Sequence, residues 1–163
     1  MAEFALVAPI FFLLVFGIIQ VGLVMASQNG LVDGVREAAR RAATYRINEG
    51  SFDITVFPSI CTTIEDELDA RLADRVIGYA AGNVTSQITY EWEQNPTSGE
   101  YFLVARVDAS YDNPLYVPLV SIFLDRSDGV DDDPDVLTLT ASEQMRVENP
   151  SLTTPASLTA QTC

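Results

Sequence analysis

The chain has 163 residues, a formal net charge of −14 and no histidine, and all nine of its basic residues are arginine. Such acidity argues against nucleic acid as a partner, because phosphates require basic groups. The sequence also lacks a phosphate-binding glycine loop, a C-x-x-C pair and a G-x-S-x-G motif. We therefore expect no enzymatic activity.

The chain opens with an apolar segment, residues 4–26, that contains no charged side chain. About 20 apolar residues suffice to span a bilayer as a helix. No arginine precedes the segment and no charge follows it until Asp33, so it lacks the flanks of a cleavable signal peptide. We expect this segment to be retained as a membrane-spanning helix.

A single acid, Glu3, precedes the apolar segment. A carboxylate at the end of a membrane helix is costly unless it meets a partner or water. Two interpretations are open. The side chain lies among the lipid headgroups, where the helix dipole favours an acid, or it pairs with the amino terminus of another copy of the chain.

The helix is predicted to continue past the membrane edge into water. No proline interrupts residues 11–56, and the segment 27–47 is typical of a helix that ends near residues 48–50. A helix over residues 2–47 would be about 70 Å long at 1.5 Å per residue. Pro9 is expected to loosen its first turns.

Small residues recur at every fourth position of this helix, at Gly22, Ala26, Gly30, Gly34, Ala38 and Ala42. Such a row allows another backbone to approach closely, and each glycine costs about 1 kcal/mol relative to alanine in a helix. We predict that Gly22, Ala26, Gly30 and Gly34 pack against helices of other subunits. Two alternatives are open: the row seats the helix on its own head, chiefly beyond residue 34, or Gly30 and Gly34 form a hinge used in assembly.

The chain is thus divided into a long helix, residues 1–48, and an acidic head, residues 49–163. Within the head, residues 59–82 are predicted to form a second helix. Its apolar residues recur with helical spacing, and Gly82 is the predicted stop.

Strands are predicted to follow the second helix. Apolar and polar residues alternate over 88–92 and again over 103–111, and the turn residues 95–99 lie between them, which indicates a hairpin. Residues 136–148 predict a last strand, and residues 119–124 a short buried element of either type. The fold class is therefore α+β, with an antiparallel sheet of three or four strands.

The two cysteines are Cys61 and Cys163. A cysteine pair outside the reducing cytosol usually forms a disulfide. The tail, residues 149–163, is rich in proline, serine and threonine and would be loose without a tie. We predict that a disulfide clamps this tail to the start of the second helix.

Aspartates crowd one segment of the head, at Asp125, Asp128, Asp131, Asp132, Asp133 and Asp135. Oxygen-rich flexible loops suit calcium, although this spacing does not match the EF-hand pattern. A solvated turn before the last strand explains the same cluster without a metal. No other cofactor is expected.

The triplet Asn83-Val84-Thr85 fits the pattern for N-glycosylation. Three-residue patterns also occur by chance and many bacteria lack the glycosylation machinery, so Asn83 is a candidate site and a chance match is the alternative.

The first residues, MAEFALVAPIFFLLVFGIIQVG, resemble the opening of the TadE-like family of pilin-like proteins. The resemblance rests on Glu3-Phe4-Ala5-Leu6 and Pro9, and the segment 137–148, LTLTASEQMRVE, is similar to the closing strand of that family. It implies a pilin-like fold and export as a prepilin, cut after a glycine so that the helix stays attached. It also implies assembly with other pilin-like subunits through that helix.

In such proteins the acid usually occupies the fifth position of the mature chain, whereas here it occupies the third. We therefore expect that the sequence lacks the first two mature residues. If Met1 is the initiator, the argument for prepilin processing is weaker.

Two functions from different classes are open. The first is a structural subunit, namely a minor pilin or pseudopilin of a Tad-type pilus or a related extracellular filament, held in the cytoplasmic membrane before assembly. The second is a monomeric membrane-anchored binding module with an acidic, calcium-binding head. The arginines within residues 36–46 would by themselves favour a cytoplasmic side. The acidic remainder and the paired cysteines favour a head outside the membrane, in the cell envelope.

Overall fold

A computed structural model of the chain describes residues 2–44, 58–116, 136–147 and 160–163, with side chains from Val7 in the first helix and from Ile60 in the second. The first helix, α1, runs unbroken over Ala2–Ala43, and Pro9 lies inside it. Its length is about 63 Å at 1.5 Å per residue. The predicted long helix is confirmed, and its predicted end at residues 48–50 lies outside the described residues.

The second helix, α2, occupies Pro58–Arg75. Proline is favoured at the first helical position, because its missing N–H would have no partner there. The predicted stop at Gly82 is wrong. Gly78 has a φ of 74°, the left-handed conformation that commonly follows a helix end. The short segment Ala81–Asn83 forms a separate 3-10 turn.

Within the described residues, the sheet has four antiparallel strands in the order β3-β2-β1-β4. The strands are β1 over Val84–Gln94, β2 over Tyr101–Pro114, β3 over Val136–Arg146 and β4 over Gln161–Thr162. The predicted hairpin is β1 and β2, whose turn includes Gly99 at a φ of 73°. The α+β class and the predicted strand number are confirmed, while residues 119–124 lie outside the described residues.

The core lies where the second half of α1 contacts α2, β2 and β3. Alternation along the strands directs Ile88 and Tyr90 of β1 to this face, opposite Val107 and Ala105 of β2. The largest fully buried side chains include Leu31, Val35, Ile64, Leu68, Leu72, Ile88, Tyr90, Leu103, Val107 and Tyr111. They give one continuous apolar cluster that spans both helices and the sheet.

The head has two ends along α1, which we call the base and the top. At the base, the last turn of α2 lies beside Gly30. At the top, the Tyr90 hydroxyl donates to the Ala42 carbonyl oxygen at 3.2 Å. The strand β1 runs from the base to the top, so the β1–β2 turn lies at the top.

Candidate assembly helix and its junction with the head

The first half of α1 exposes its apolar side chains. The exposed large apolar residues of this half are Val7, Ile10, Phe11, Phe12, Leu13, Leu14, Phe16, Ile18, Ile19, Val21 and Met25. An 18-residue stretch of this helix has a mean hydropathy of 2.6, and only 6% of that stretch is buried. By length and composition the helix is therefore a candidate membrane span. A core helix of a soluble protein would be mostly buried, so the observed exposure suggests membrane anchoring.

The second half of α1 is the central element of the head. Leu31, Ala38, Ala39 and Ala42 are fully buried. Near the base, the Gln28 Nε2 group donates to the Thr140 carbonyl oxygen of β3 at 3.0 Å. One continuous helix therefore joins the exposed apolar segment to the core.

The row of small residues has an open part, before α1 enters the head, and a packed part within the head. A Cβ at Gly22 would meet nothing within 4 Å, whereas one at Gly30 would lie 3.0 Å from the Arg75 carbonyl oxygen. A Cβ at Gly34 would lie 3.0 Å from a methyl carbon of Leu72. Gly30 and Gly34 therefore seat α1 against α2 of the same chain.

This finding corrects the expectation that all four predicted positions face other subunits. Gly30 and Gly34 are buried by their own head, so the intramolecular alternative applies to them and begins earlier than residue 34. Gly22 is exposed and Ala26 is half-buried. The intermolecular role stays a prediction for this pair.

A polar contact marks the point where the head first reaches α1. The Tyr116 backbone N–H, just after β2, donates to the Gln20 Oε1 atom at 3.0 Å. Gln20 is fully buried, and within the described part of the chain its Nε2 group has no hydrogen-bond partner. Sequence reasoning missed this residue. The available signal was that Gln20 is the only polar side chain in residues 4–26.

Ion pairs line the outer side of the two helices. Arg75 of α2 donates to the Asp33 carboxylate of α1 at 2.8 Å, which joins the helices near the base. On α1 itself, the Arg40 guanidinium donates to Glu37 at 2.7 Å and lowers the pKa of that carboxyl. These side chains are largely exposed, so water and salt screen the pairs and they add little to the stability of the head. The arginines after the apolar segment are thus partly neutralised by their neighbours.

Glu3 lies in the first turn of α1, and its side chain lies outside the described residues. An acid is stabilised at a helix N-terminus by the unpaired N–H groups and the helix dipole. Both interpretations of Glu3 stay open, and its role in assembly stays a prediction.

The predicted disulfide between Cys61 and Cys163 is present, and the two Cα atoms are 6.0 Å apart. It joins α2 to the end of the tail. Two further contacts hold the tail: β4 pairs with β1 at Thr89 and Tyr90, and the Cys163 backbone N–H donates to the Ile88 carbonyl oxygen at 2.9 Å. The end of the tail, held by the disulfide, therefore also adds a short edge strand to the sheet.

Two further candidate sites are not tested. The aspartates proposed for calcium, Asp125, Asp128, Asp131, Asp132 and Asp133, lie outside the described residues, and the described ones contain no cluster of three or more metal-ligating side chains. Asn83 ends the 3-10 turn, and its side-chain amide donates to the Asp112 carbonyl oxygen at 3.2 Å. This bond gives Asn83 a structural role at the start of β1.

Comparisons with known proteins give one result. No curated protein and no solved structure matches the chain. Residues 1–40, which comprise most of α1, match the family model described as TadE-like protein. The match covers the apolar segment, the row of small residues as far as Ala38, and the Arg40–Glu37 ion pair. The resemblance predicted from Glu3-Phe4-Ala5-Leu6 and Pro9 is thereby confirmed: residues 1–40 are similar to the TadE-like family.

Proposed function

We propose that this chain is a non-enzymatic structural subunit, a minor pilin or pseudopilin of a Tad-type pilus or a related filament, which assembles through the exposed half of α1. The TadE-like match suggests a component associated with a Tad pilus in the cell envelope. The single observation that carries the finer proposal is the division of α1 at Gln20. The described side chains before it, Val7 to Ile19, are all apolar and mostly exposed, whereas most residues of α1 after it are buried or half-buried.

The length of the apolar segment supports this role. Residues 4–19, which exclude the acidic Glu3, form a helix about 24 Å long at 1.5 Å per residue. This length covers most of the roughly 30 Å hydrocarbon core of a bilayer. The same apolar surface can rest in the membrane and later pack against neighbouring helices. In this proposal the acidic head lies outside the membrane, where its disulfide is stable.

The partners in this proposal are other pilin-like subunits. Close helix packing in an apolar environment requires small residues at the contact. Gly22 and Ala26 are the members of the row that their own head does not bury. They mark the face of α1 on which a neighbouring helix would lie.

A photo-crosslinking experiment in the source organism tests the proposal. A photoreactive phenylalanine analogue replaces Phe12, which is exposed in the apolar segment. We expect adducts with pilin-like subunits, identified by mass spectrometry. Adducts should decrease when Gly22 and Ala26 are both changed to leucine. A matched control changes Val21 and Met25 to leucine, which keeps these neighbouring positions large and apolar.

The outcome also separates the two function classes. If the crosslinker at Phe12 yields only lipid adducts while the head remains folded, the chain is a monomeric membrane-anchored module. That result would overturn the structural-subunit proposal. Electron microscopy of the membrane-extracted protein gives an independent view, because a filament subunit is expected to yield oligomers or filaments.

A further inference from the structure

The base of the head carries two exposed apolar side chains. Among the described residues, the large apolar side chains that are exposed all lie on α1 between Val7 and Met25, except Ile77 and Tyr116. Ile77 is 51% exposed and Tyr116 is 56% exposed. Both lie outside the helices and strands, in the segments that follow α2 and β2.

These two residues lie close to each other and to α1. The Tyr116 hydroxyl lies directly over Gly78, the residue after Ile77, where a Cβ would collide with it. The backbone of Tyr116 is bonded to Gln20, and Val76 lies against Gly30. The two side chains therefore lie at the base of the head, between the levels of Gln20 and Gly30 on α1, which are about 15 Å apart.

We propose that Ile77 and Tyr116 form a membrane-contacting collar, and that the base of the head rests on the surface of the bilayer that α1 spans. The inference depends on the proposed span of α1. If residues 4–19 cross the hydrocarbon core, Gln20 lies at its boundary, and Tyr116, whose backbone is bonded to Gln20, lies at the headgroup level. Tyrosine is enriched there, because its ring is apolar and its hydroxyl is polar. An exposed isoleucine beside it gains by leaving water.

The bilayer fits this surface better than a second copy of the head does. The collar lies between the levels of Gln20 and Gly30 on α1, and Val21 and Met25 expose apolar side chains on the same stretch of the helix. Elsewhere the head is strongly acidic, because residues 51–163 hold the net charge of −14. A lipid surface that lies next to the helix exit needs no further partner to cover the two side chains.

Depth-dependent fluorescence quenching tests the collar in full-length protein reconstituted into phosphatidylcholine vesicles. The chain has one tryptophan, Trp92, which is first changed to phenylalanine. Tryptophan is then placed in separate variants at Ile77, Tyr116, Phe16 and Ser98. Phe16 reports the span, and Ser98 lies in the turn at the top of the head.

We expect tryptophan at 77 and at 116 to lose intensity with lipids brominated near the headgroup, and to emit at shorter wavelength than tryptophan at 98. Tryptophan at 16 should be quenched most by lipids brominated deep in the chains. If tryptophan at 16 is quenched, while tryptophan at 77 and at 116 is quenched no more than tryptophan at 98, the collar is wrong and the span stands. If 16 is not quenched, the span itself fails. Equal quenching at 77, 116 and 98 would mean that the head adheres without orientation, which also overturns the collar.

Discussion

Tyr116 and Gln20, 96 residues apart in sequence, are joined by a hydrogen bond of 3.0 Å at the point where the head meets the apolar segment. Changing Gln20 to methionine keeps the length of the side chain and removes the acceptor. The Tyr116 N–H then loses its partner, while the unpaired Nε2 group is removed as well. We expect the free energy of unfolding in detergent to fall by about 1 kcal/mol.

The same variant should speed hydrogen exchange at the Tyr116 amide, which mass spectrometry measures. Ile19→Met, on the exposed neighbouring residue, is the matched control and should leave that amide unchanged. Equal exchange rates in the Gln20 variant and the native protein would contradict the proposed junction.

The glycines of α1 should respond differently to the same substitution. Gly22→Ala should be neutral or stabilising by up to about 1 kcal/mol, because alanine favours the helix and the site is open. Gly30→Ala should destabilise the head by about 1–2 kcal/mol, because its Cβ would press on the Arg75 backbone. Gly34→Ala should lie between them, since the Leu72 side chain can shift. Thermal melting gives the order, and a loss at Gly22 equal to that at Gly30 would refute it.

The disulfide should contribute strongly to the stability of the head. It closes a sequence separation of 102 residues, for which chain entropy gives at most about 4–5 kcal/mol. Cys61→Ser with Cys163→Ser should therefore lower the melting temperature and open the tail to proteases near Pro150 and Pro155. Reductant should destabilise the native protein and leave the double variant unchanged. Alkylation of two thiols in unreduced native protein would show that the bridge does not form.

Two tyrosines near the base should make the head sensitive to alkali. Burial raises the pKa of Tyr79, and its hydrogen bond to Asp69, at 2.7 Å, raises it further. Burial also raises the pKa of Tyr111. The unfolded chain then loses these protons near pH 10 while the folded chain keeps them, so stability falls as the pH rises above about 10. Tyr79→Phe should make that fall shallower in melting curves recorded against pH. An unchanged slope would contradict the assignment.

Substitution of Glu3 tests whether its negative charge contributes to assembly. Glu3→Gln keeps the size of the side chain and removes its charge, so export should be normal. Incorporation into the filament should slow if the carboxylate pairs with the amino terminus of a neighbouring subunit. Glu100→Gln, in the exposed turn at the top, is the control. N-terminal sequencing that places the mature start beyond the apolar segment would remove the premise.

The sequence predicted the elements of the head better than their ends. Alternation along β1 and β2 and the turn between them are local signals, and the hairpin followed from them. The end of α2 was placed seven residues too late, because Gly78 and Gly82 both suit a helix stop. Only the packing of Tyr116 over Gly78 and of Val76 against Gly30 distinguishes the two glycines.

The sequence predicted which residues of α1 form the candidate site, but it predicted less well which of them face the head. The period of the small residues on α1 was visible in the sequence, but which of them face the head depends on where α2 lies. Gln20 and the Asp33–Arg75 pair depend on contacts across 96 and 42 residues. Neither contact leaves a periodic signal that sequence reasoning could use.

The continuity of α1 fixes the mechanics of the whole molecule. The helix runs without a break from Ala2 to Ala43. A rotation of its N-terminal half about the helix axis therefore rotates the head by the same angle. Inserting one alanine after Val24 would rotate the head by about 100° and raise it by about 1.5 Å. In the proposed assembly, a neighbouring subunit that packs against the exposed part of α1 would therefore set the direction in which the acidic surface of the head points.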